Sequence, residues 1–177
     1  MIPTGETQSL SFRLNGQPLA VEVPPATSLL DLLRGPGGLT SVRAGCRIGR
    51  CGACTVLLDG RSVPAWLVPA WRLEGRRVDT VEGLARDPHY QAVASALTWE
   101  SALQCGYCTP GIVLSLVSCL RNETEPDHDR LAEALAGNLC RCTGYGGLRR
   151  ALERLAPGRP RASHFSDPSD PTPGGSS

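Results

Sequence analysis

The sequence of 177 residues lacks features that several large classes of protein require. No apolar run approaches the roughly 18 residues of a membrane-spanning helix, so no membrane span is expected. Acidic and basic residues nearly balance, at 17 and 18, and form no basic stripe, so nucleic-acid binding is not expected. The first residues carry neither a charged and apolar signal nor twin arginines, so a cytoplasmic location is expected unless a partner directs export.

Aromatic residues are also scarce, at 5% of the chain, whereas glycine and proline occur 20 and 15 times. Two small apolar cores without many aromatic side chains would be thin, and we expect a metal or another cross-link to support them. Residues 157–177 are rich in proline, serine and glycine, with Phe165 as the one large apolar side chain. This composition predicts a disordered tail.

The cysteines are the most informative residues, and disulfides, zinc and iron–sulfur clusters are the chemistries to compare. A chain without an export signal is expected in a reducing compartment, which disfavours disulfides. The three histidines stand in no zinc-knuckle spacing with the cysteines, which disfavours zinc. Iron–sulfur ligation is therefore favoured. The eight cysteines are Cys46, Cys51, Cys54, Cys105, Cys108, Cys119, Cys140 and Cys142.

The first group of cysteines, Cys46, Cys51 and Cys54, has the spacing C-x4-C-x2-C. This is the loop spacing of plant-type [2Fe–2S] ferredoxins, whose clusters take four cysteine thiolates. Glycines within the segment allow the backbone to wrap closely around the sulfur atoms. The spacing predicts a first iron–sulfur site, with three of its four ligands in this loop.

The second group consists of Cys105 and Cys108, spaced C-x2-C, and of Cys140 and Cys142, spaced C-x-C. Together they supply four thiolates, the full set for one [2Fe–2S] cluster. The sequence therefore predicts a second, complete iron–sulfur site.

An apolar stretch follows the second group and predicts a central helix over residues 110–121. Thr109 is expected to cap this helix and Pro110 to occupy its first position. The positive end of the helix dipole would then favour the negative charge of a cluster. Cys119 lies inside the stretch and is expected to be a buried apolar side chain rather than a ligand.

The first half of the chain predicts two hairpins and a short helix. Residues 8–14 and 19–23 alternate around Asn15-Gly16, and residues 55–58 and 61–63 flank Asp59-Gly60, which are type I′ turn signals. Thr27 or Ser28 is expected to cap a helix over 29–34, and a strand over 77–81 to close the sheet. These elements match a β-grasp, the fold of plant-type ferredoxins.

From about residue 82 the pattern becomes helical. Asp87-Pro88 predicts a helix start, with Val93 and Leu97 on one face. Leucines then step by four at 131, 135 and 139, and a last helix is expected after Gly146-Gly147. The predicted fold class is α+β, with a ferredoxin-like β-grasp domain over 1–80 and a small helical bundle [2Fe–2S] domain over 81–156.

Three segments carry a resemblance to a known family: GCRIGRCGACTVLLDG from residue 45, ALQCGYCTPGIVLS from residue 102 and GNLCRCTGYGGLRRAL from residue 137. Together, over about residues 8–156, they resemble the small iron–sulfur subunit of the molybdenum hydroxylases, the family of xanthine dehydrogenase, aldehyde oxidase and aerobic carbon monoxide dehydrogenase. The resemblance implies two [2Fe–2S] clusters. It also implies electron relay from a molybdopterin-binding large subunit toward an FAD-binding medium subunit or another acceptor.

The resemblance also assigns roles to individual residues. It implies that Gln104 contacts the pterin of the partner's molybdenum cofactor and that Cys142 lies beside it. It implies an electron-transfer subunit of an oxidoreductase, with no catalytic residue and no substrate site on this chain. The alternatives are a free-standing ferredoxin carrier and a degenerate structural paralogue that keeps only the second cluster.

The chain departs from the family pattern at Trp66, twelve residues after Cys54, where the resemblance calls for the fourth cysteine of the first cluster. An indole offers an N–H donor and no lone pair for iron. Three alternatives follow for the first cluster. It is absent, it is completed by water or by an oxygen ligand such as Asp59 or Ser62, or it is labile. Trp66→Cys is expected to restore it.

Overall fold

The computed structural model describes residues 7–156, beginning with a regular hairpin. Strands β1 (Gln8–Leu14) and β2 (Gln17–Val23) pair antiparallel, with Gln8 opposite Val23 and Leu14 opposite Gln17. Asn15 and Gly16 both have positive φ, 51° and 81°, which is the conformation of a type I′ turn. The hairpin predicted around Asn15-Gly16 is therefore present.

The first helix, α1 (Leu29–Arg34), begins where the sequence predicts it. The side chain of Ser28 accepts a hydrogen bond from the backbone N–H of Asp31, which satisfies one of the free donors of the first turn. Gly35 follows the last helical residue. The four leucines of α1 are buried and fix the helix against the sheet.

The second hairpin, β3 (Thr55–Leu58) and β4 (Arg61–Pro64), turns through Asp59 and Gly60, again with positive φ. Strand β5 (Arg77–Asp79) lies between the hairpins and joins them, parallel to β1 and antiparallel to β3. The five-stranded order is β2-β1-β5-β3-β4. The predicted continuation of β5 to residue 81 is wrong, because Val81–Gly83 forms a 3-10 helix.

Four helices follow the sheet: α2 (Pro88–Trp99), α3 (Thr109–Asn122), α4 (His128–Ala134) and α5 (Gly146–Leu155). Asp87 caps α2 as predicted, since its carboxylate accepts the backbone N–H of Tyr90 at 2.8 Å. Val93 and Leu97 are fully buried on one face of α2. With the sheet, these helices form a mixed α+β structure.

Two details of the helical prediction are wrong. Thr109 does not cap α3: the N-cap is Cys108, Thr109 is the first helical residue, and Pro110 is the second rather than the first. The leucine step of four does not describe one helix, because α4 ends at Ala134 and Leu139 lies in the following loop with 57% of its surface exposed. Leu131 alone of these three leucines is fully buried in the helical core.

Two apolar cores lie on opposite faces of the sheet, and strand β3 contributes to both. Val56 and Leu58 pack with α1 and the first hairpin, whereas Leu57 packs with the helices. Because successive strand residues point to opposite faces, a fully buried β3 separates the two cores. Helix α3 is buried from Gly111 to Cys119 and packs against β3 and β4 on the helical side.

Within residues 7–156, no helix is both long enough and apolar enough to cross a membrane. The cytoplasmic location stays a prediction. The predicted disordered tail, 157–177, lies outside the described residues.

Candidate iron–sulfur sites

The four cysteines of the second group come together from two distant loops. Cys105 lies in the loop after α2 and Cys108 at the start of α3, while Cys140 and Cys142 lie between α4 and α5. The Sγ atoms of Cys142 and Cys105 are 3.4 Å apart. The thiol of Cys108 hydrogen-bonds to the sulfur of Cys140. The thiols thus form two contacting pairs, each with one member from each loop.

Each pair contains one sulfur that is stabilised as a thiolate. Partial burial opposes ionisation of Cys140, but hydrogen bonds from Thr143 and Cys108 outweigh it and lower its pKa to about 7. Burial and the nearby Cys140 raise the pKa of Cys108 to about 12. In the other pair, the N–H of Tyr107 lowers the pKa of Cys105.

The donor set of the second group fits a [2Fe–2S] cluster. Among residues 7–156, no group of three or more Cys, His, Asp or Glu side chains is arranged to hold one ion. In a [2Fe–2S] cluster the four thiolates are shared between two irons, so two pairs of sulfurs are required. The two contacting pairs of the second group meet that requirement.

The second group opens on the protein surface. Gln104, Cys105 and Cys142 are all exposed. Large apolar side chains beside these residues in sequence are also exposed, which is the usual mark of a surface that a partner covers. These side chains are Leu103, Tyr107, Leu139 and Tyr145.

The first group lies in the loop before β3, where backbone N–H groups surround its sulfurs. The N–H of Arg50 donates to the sulfur of Cys46 at 3.3 Å, and the N–H of Cys46 donates to the sulfur of Cys51 at 3.4 Å. The N–H of Ile48, followed by that of Arg50, lowers the pKa of Cys46 to about 6. This loop has the local geometry for stabilising sulfur anions.

The third sulfur of the first group is enclosed. Cys54 is 5% exposed and belongs to the core around α1. Burial raises the pKa of this thiol, while the backbone N–H of Trp66 hydrogen-bonds to it. Residue 66 therefore lies directly beside the cysteine loop, as the spacing from Cys54 predicts.

The indole of Trp66 is held by the loop itself. The guanidinium carbon of Arg47 lies 5.1 Å from the centre of the Trp66 ring, and Arg47 also pairs with Asp31 of α1 at 3.1 Å. The first group therefore supplies three thiols and an aromatic ring, which does not fit the four-thiolate requirement of a [2Fe–2S] cluster.

No contact directs Asp59 or Ser62, the two oxygen ligands considered for the first cluster, toward this loop. The carboxylate of Asp59 accepts the backbone N–H of Arg77 at 2.8 Å and pairs with the side chain of Arg76. Ser62 is exposed on β4, and its backbone N–H donates to Ser118 of α3.

Hydrogen bonds that the sequence does not predict join the loops of the two cysteine groups. The side-chain amide of Asn138 donates to the Gly52 carbonyl at 3.3 Å, and the hydroxyl of Tyr107 donates to the Ala44 carbonyl at 3.2 Å. Long-range contacts to backbone carbonyls leave no local pattern, so no sequence signal marked them.

Helix α3 also approaches the first loop at backbone distance. A Cβ atom on Gly111 would lie 2.1 Å from the carbonyl oxygen of Gly52. Only glycine can occupy position 111 without displacing the loop.

Comparison with protein families places both halves of the chain in the class of [2Fe–2S] proteins. Residues 12–85 match a family described as "2Fe-2S iron-sulfur cluster binding domain", and residues 80–153 match a "[2Fe-2S] binding domain".

Whole-length relatives define the family more narrowly. The chain is 41% identical over 142 residues to the "Xanthine dehydrogenase iron-sulfur-binding subunit" of Escherichia coli, covering 79% of this chain and 89% of that relative. It is 39% identical over 152 residues to the "Nicotinate dehydrogenase small FeS subunit" of Eubacterium barkeri, covering 84% and 97%. The solved quinoline 2-oxidoreductase of Pseudomonas putida 86 contains a similar chain, with TM-score 0.76, 38% identity and coverage of 84% and 91%.

The chain therefore belongs to the family of small iron–sulfur subunits of xanthine dehydrogenase-type molybdenum hydroxylases. Its role is electron transfer within an oxidoreductase, which confirms the resemblance seen in the sequence. The comparisons do not favour a free-standing ferredoxin carrier or a purely structural paralogue.

Proposed function

We propose that this chain relays single electrons from a molybdopterin-binding large subunit toward an FAD-binding medium subunit or another acceptor. A [2Fe–2S] cluster, when bound, supplies a one-electron carrier. Its proposed ligands are Cys105, Cys108, Cys140 and Cys142. The observation that carries the proposal is the 3.4 Å contact between the sulfurs of Cys105 and Cys142, which come from distant loops.

The surroundings of these cysteines support a role in holding a negatively charged cluster. The hydroxyl of Thr143 donates to the sulfur of Cys140 at 3.1 Å, and such donors stabilise a charged sulfur. The hydroxyl of Tyr145 accepts the backbone N–H of Cys140 at 2.9 Å, which orients that loop. The N-terminal end of α3, which begins after Cys108, directs its positive dipole toward the sulfurs.

The exposed apolar side chains around this site support an interface with the molybdopterin-binding subunit. Gln104 and Cys142 are the proposed residues beside the pterin on that surface. An exposed patch of this kind is a liability in an isolated chain. We therefore propose that association is obligate, and that all substrate chemistry occurs on the partner chain.

We propose that the chain consists of two domains: a ferredoxin-like β-grasp domain over residues 1–80 and a helical [2Fe–2S] domain over 81–156. The two apolar cores on opposite faces of the sheet and the two family matches support this division.

The test uses Cys108→Ala in the chain purified with its partner subunits. We expect loss of the iron–sulfur EPR signal of this site and of about two irons per chain, the content of one cluster. Cys119→Ala is the matched control, because Cys119 is a buried cysteine of the same helix that contacts apolar core residues. An unchanged signal in Cys108→Ala, or equal losses in both variants, would contradict the ligand assignment.

A further inference from the structure

We propose that the loop of Cys46, Cys51 and Cys54 holds no [2Fe–2S] cluster in this chain, and that Trp66, clamped by Arg47, occupies the place of the missing ligand. The chain then carries one cluster. This inference rests on the proposed function, because it assigns the only cluster to the second cysteine group.

The first loop has too few thiols for a [2Fe–2S] cluster. All eight cysteines lie within the described residues, and none is in a disulfide. Four of them form the contacting pairs of the second group, three lie in the first loop, and Cys119 is 6% exposed inside the helical core. Because a plant-type [2Fe–2S] cluster takes four thiolates, the first loop is one ligand short.

Within the part of the chain that the structure describes, no contact holds an oxygen ligand in position to replace the missing thiolate. Asp59 is engaged at the far turn of the β3–β4 hairpin by Arg76 and Arg77. An indole nitrogen carries a hydrogen and has no lone pair to offer to iron. Trp66 therefore cannot replace the thiolate chemically.

Trp66 lies against the cysteine loop. The backbone N–H of Ala65 donates to the carbonyl oxygen of Cys54 at 3.0 Å, so the side chain of the next residue, Trp66, begins close to the most buried cysteine of the loop. The ring then packs under Arg47, which lies between Cys46 and Cys51 in sequence. The Arg47 guanidinium also pairs with the carboxylate of Asp31 at 3.1 Å. A cation–π contact and an ion pair thus keep a bulky ring against the cysteine loop.

The cysteine loop keeps the hydrogen bonds that stabilise sulfur anions. Backbone N–H groups still donate to the sulfurs of Cys46 and Cys51, at 3.3 and 3.4 Å. The loop thus retains the hydrogen-bonding geometry that suits sulfur ligands. A single residue, Trp66, separates this loop from a complete set of ligands.

The experiment compares wild type, Trp66→Cys and Trp71→Cys, each purified with its partner subunits. We expect about two irons per chain in wild type and about four in Trp66→Cys, with a second EPR signal of distinct g values. Trp71→Cys is the matched control, because it adds a cysteine at a nearby tryptophan that is 59% exposed in its own 3-10 helix. Its iron content should equal that of wild type. Adding Cys51→Ser to Trp66→Cys should abolish the gain.

The outcomes separate this inference from the proposed function. About four irons and two signals in wild type would overturn the inference and leave the function intact. If wild type has about two irons per chain, and these are lost in Cys46→Ser but retained in Cys108→Ala, both the inference and the proposed function are overturned. No gain in a folded Trp66→Cys would overturn the assignment of the defect to Trp66. Folding is checked by retention of the signal from the second cysteine group.

Discussion

The backbone N–H of Leu139 donates a hydrogen bond to the carbonyl oxygen of Cys51, with 3.0 Å between the two atoms. Leu139 directly precedes Cys140, so this bond joins the first cysteine loop to the loop that holds half of the second group. The bond involves main-chain atoms only, and substitution of either side chain leaves its donor and acceptor in place. The two cysteine groups are therefore connected through the backbone.

Asn138 reinforces this connection, and we expect its removal to be costly. Its side chain is 5% exposed, donates to the Gly52 carbonyl and accepts the hydroxyl of Ser115 at 2.9 Å. Asn138→Leu leaves the buried Ser115 hydroxyl without its partner, at a cost of about 1–3 kcal/mol for an unsatisfied buried group. The Gly52 carbonyl keeps the hydrogen bonds that the backbone N–H and the hydroxyl of Thr55 donate to it, at 3.1 and 2.8 Å. The measurement is the urea midpoint of unfolding.

Asn122→Leu is the control for this variant. Asn122 also donates to a carbonyl of the first half of the chain, Gly60, but it is exposed to water. Its loss should lower stability by less than about 0.5 kcal/mol, the usual range for surface substitutions. Equal costs for Asn138→Leu and Asn122→Leu would argue against a locking role for Asn138.

Asp87 links α2 to α3, and the link should fail in acid. Partial burial disfavours the charge, but Arg121 at 2.8 Å and the N–H of Tyr90 outweigh it, so the pKa of Asp87 lies below its usual 3.8. When the pKa of a carboxyl group is lower in the folded than in the unfolded protein, its charge stabilises the fold fully at any pH above the unfolded-state pKa. This stabilisation is lost as the pH falls through the folded-state pKa. Unfolding free energy should therefore decrease below about pH 4.

The corresponding variant is Asp87→Asn, which keeps a good N-cap residue while removing the charge. Its urea midpoint should be lower than that of wild type at neutral pH and should fall less steeply in acid. The control is Asp129→Asn, at a side chain that is 97% exposed, and it should lower the urea midpoint at neutral pH by less than Asp87→Asn does. If the urea midpoint of Asp87→Asn falls with pH as steeply as that of wild type, other carboxylates govern acid unfolding.

Leu139 should contribute to association, since it is 57% exposed beside Cys140. Leu139→Ser removes an apolar side chain from the proposed interface and should weaken co-purification with the molybdopterin-binding subunit while making the isolated chain more soluble. Leu67→Ser is the control, because Leu67 is 58% exposed beside the first loop. Association that responds to Leu67→Ser alone would contradict the proposed interface.

Local signals predicted much of the fold. The Asn15-Gly16 and Asp59-Gly60 turns set both hairpins, because each pair supplies the two positive φ values that a type I′ turn needs. The apolar stretch of α3 marked the most buried helix. The cap of α3 was misassigned because Thr109 and Cys108 are adjacent, and only backbone dihedrals identify which of them begins the helix.

The sequence predicts which residues form each candidate site, but it predicts their arrangement in space less well. Spacing alone grouped Cys105 with Cys108 and Cys140 with Cys142, whereas the structure pairs Cys105 with Cys142. That pairing depends on where α4 and α5 return the chain, which is a tertiary property. The cation–π contact of Arg47 with Trp66 was likewise invisible in sequence, since positive φ at Arg47 sets the direction of its side chain.

The approach of Gly111 to Gly52 has a mechanical consequence. Side-chain contacts between two elements can widen or narrow as rotamers change, but two backbone segments in contact have no such freedom. If helix α3 slid along its axis, the side chain of a residue next to Gly111 would be forced against the carbonyl of Gly52, where even a Cβ atom has no room. The helix that starts at the second cysteine group and the loop that carries the first are expected to move as one rigid piece.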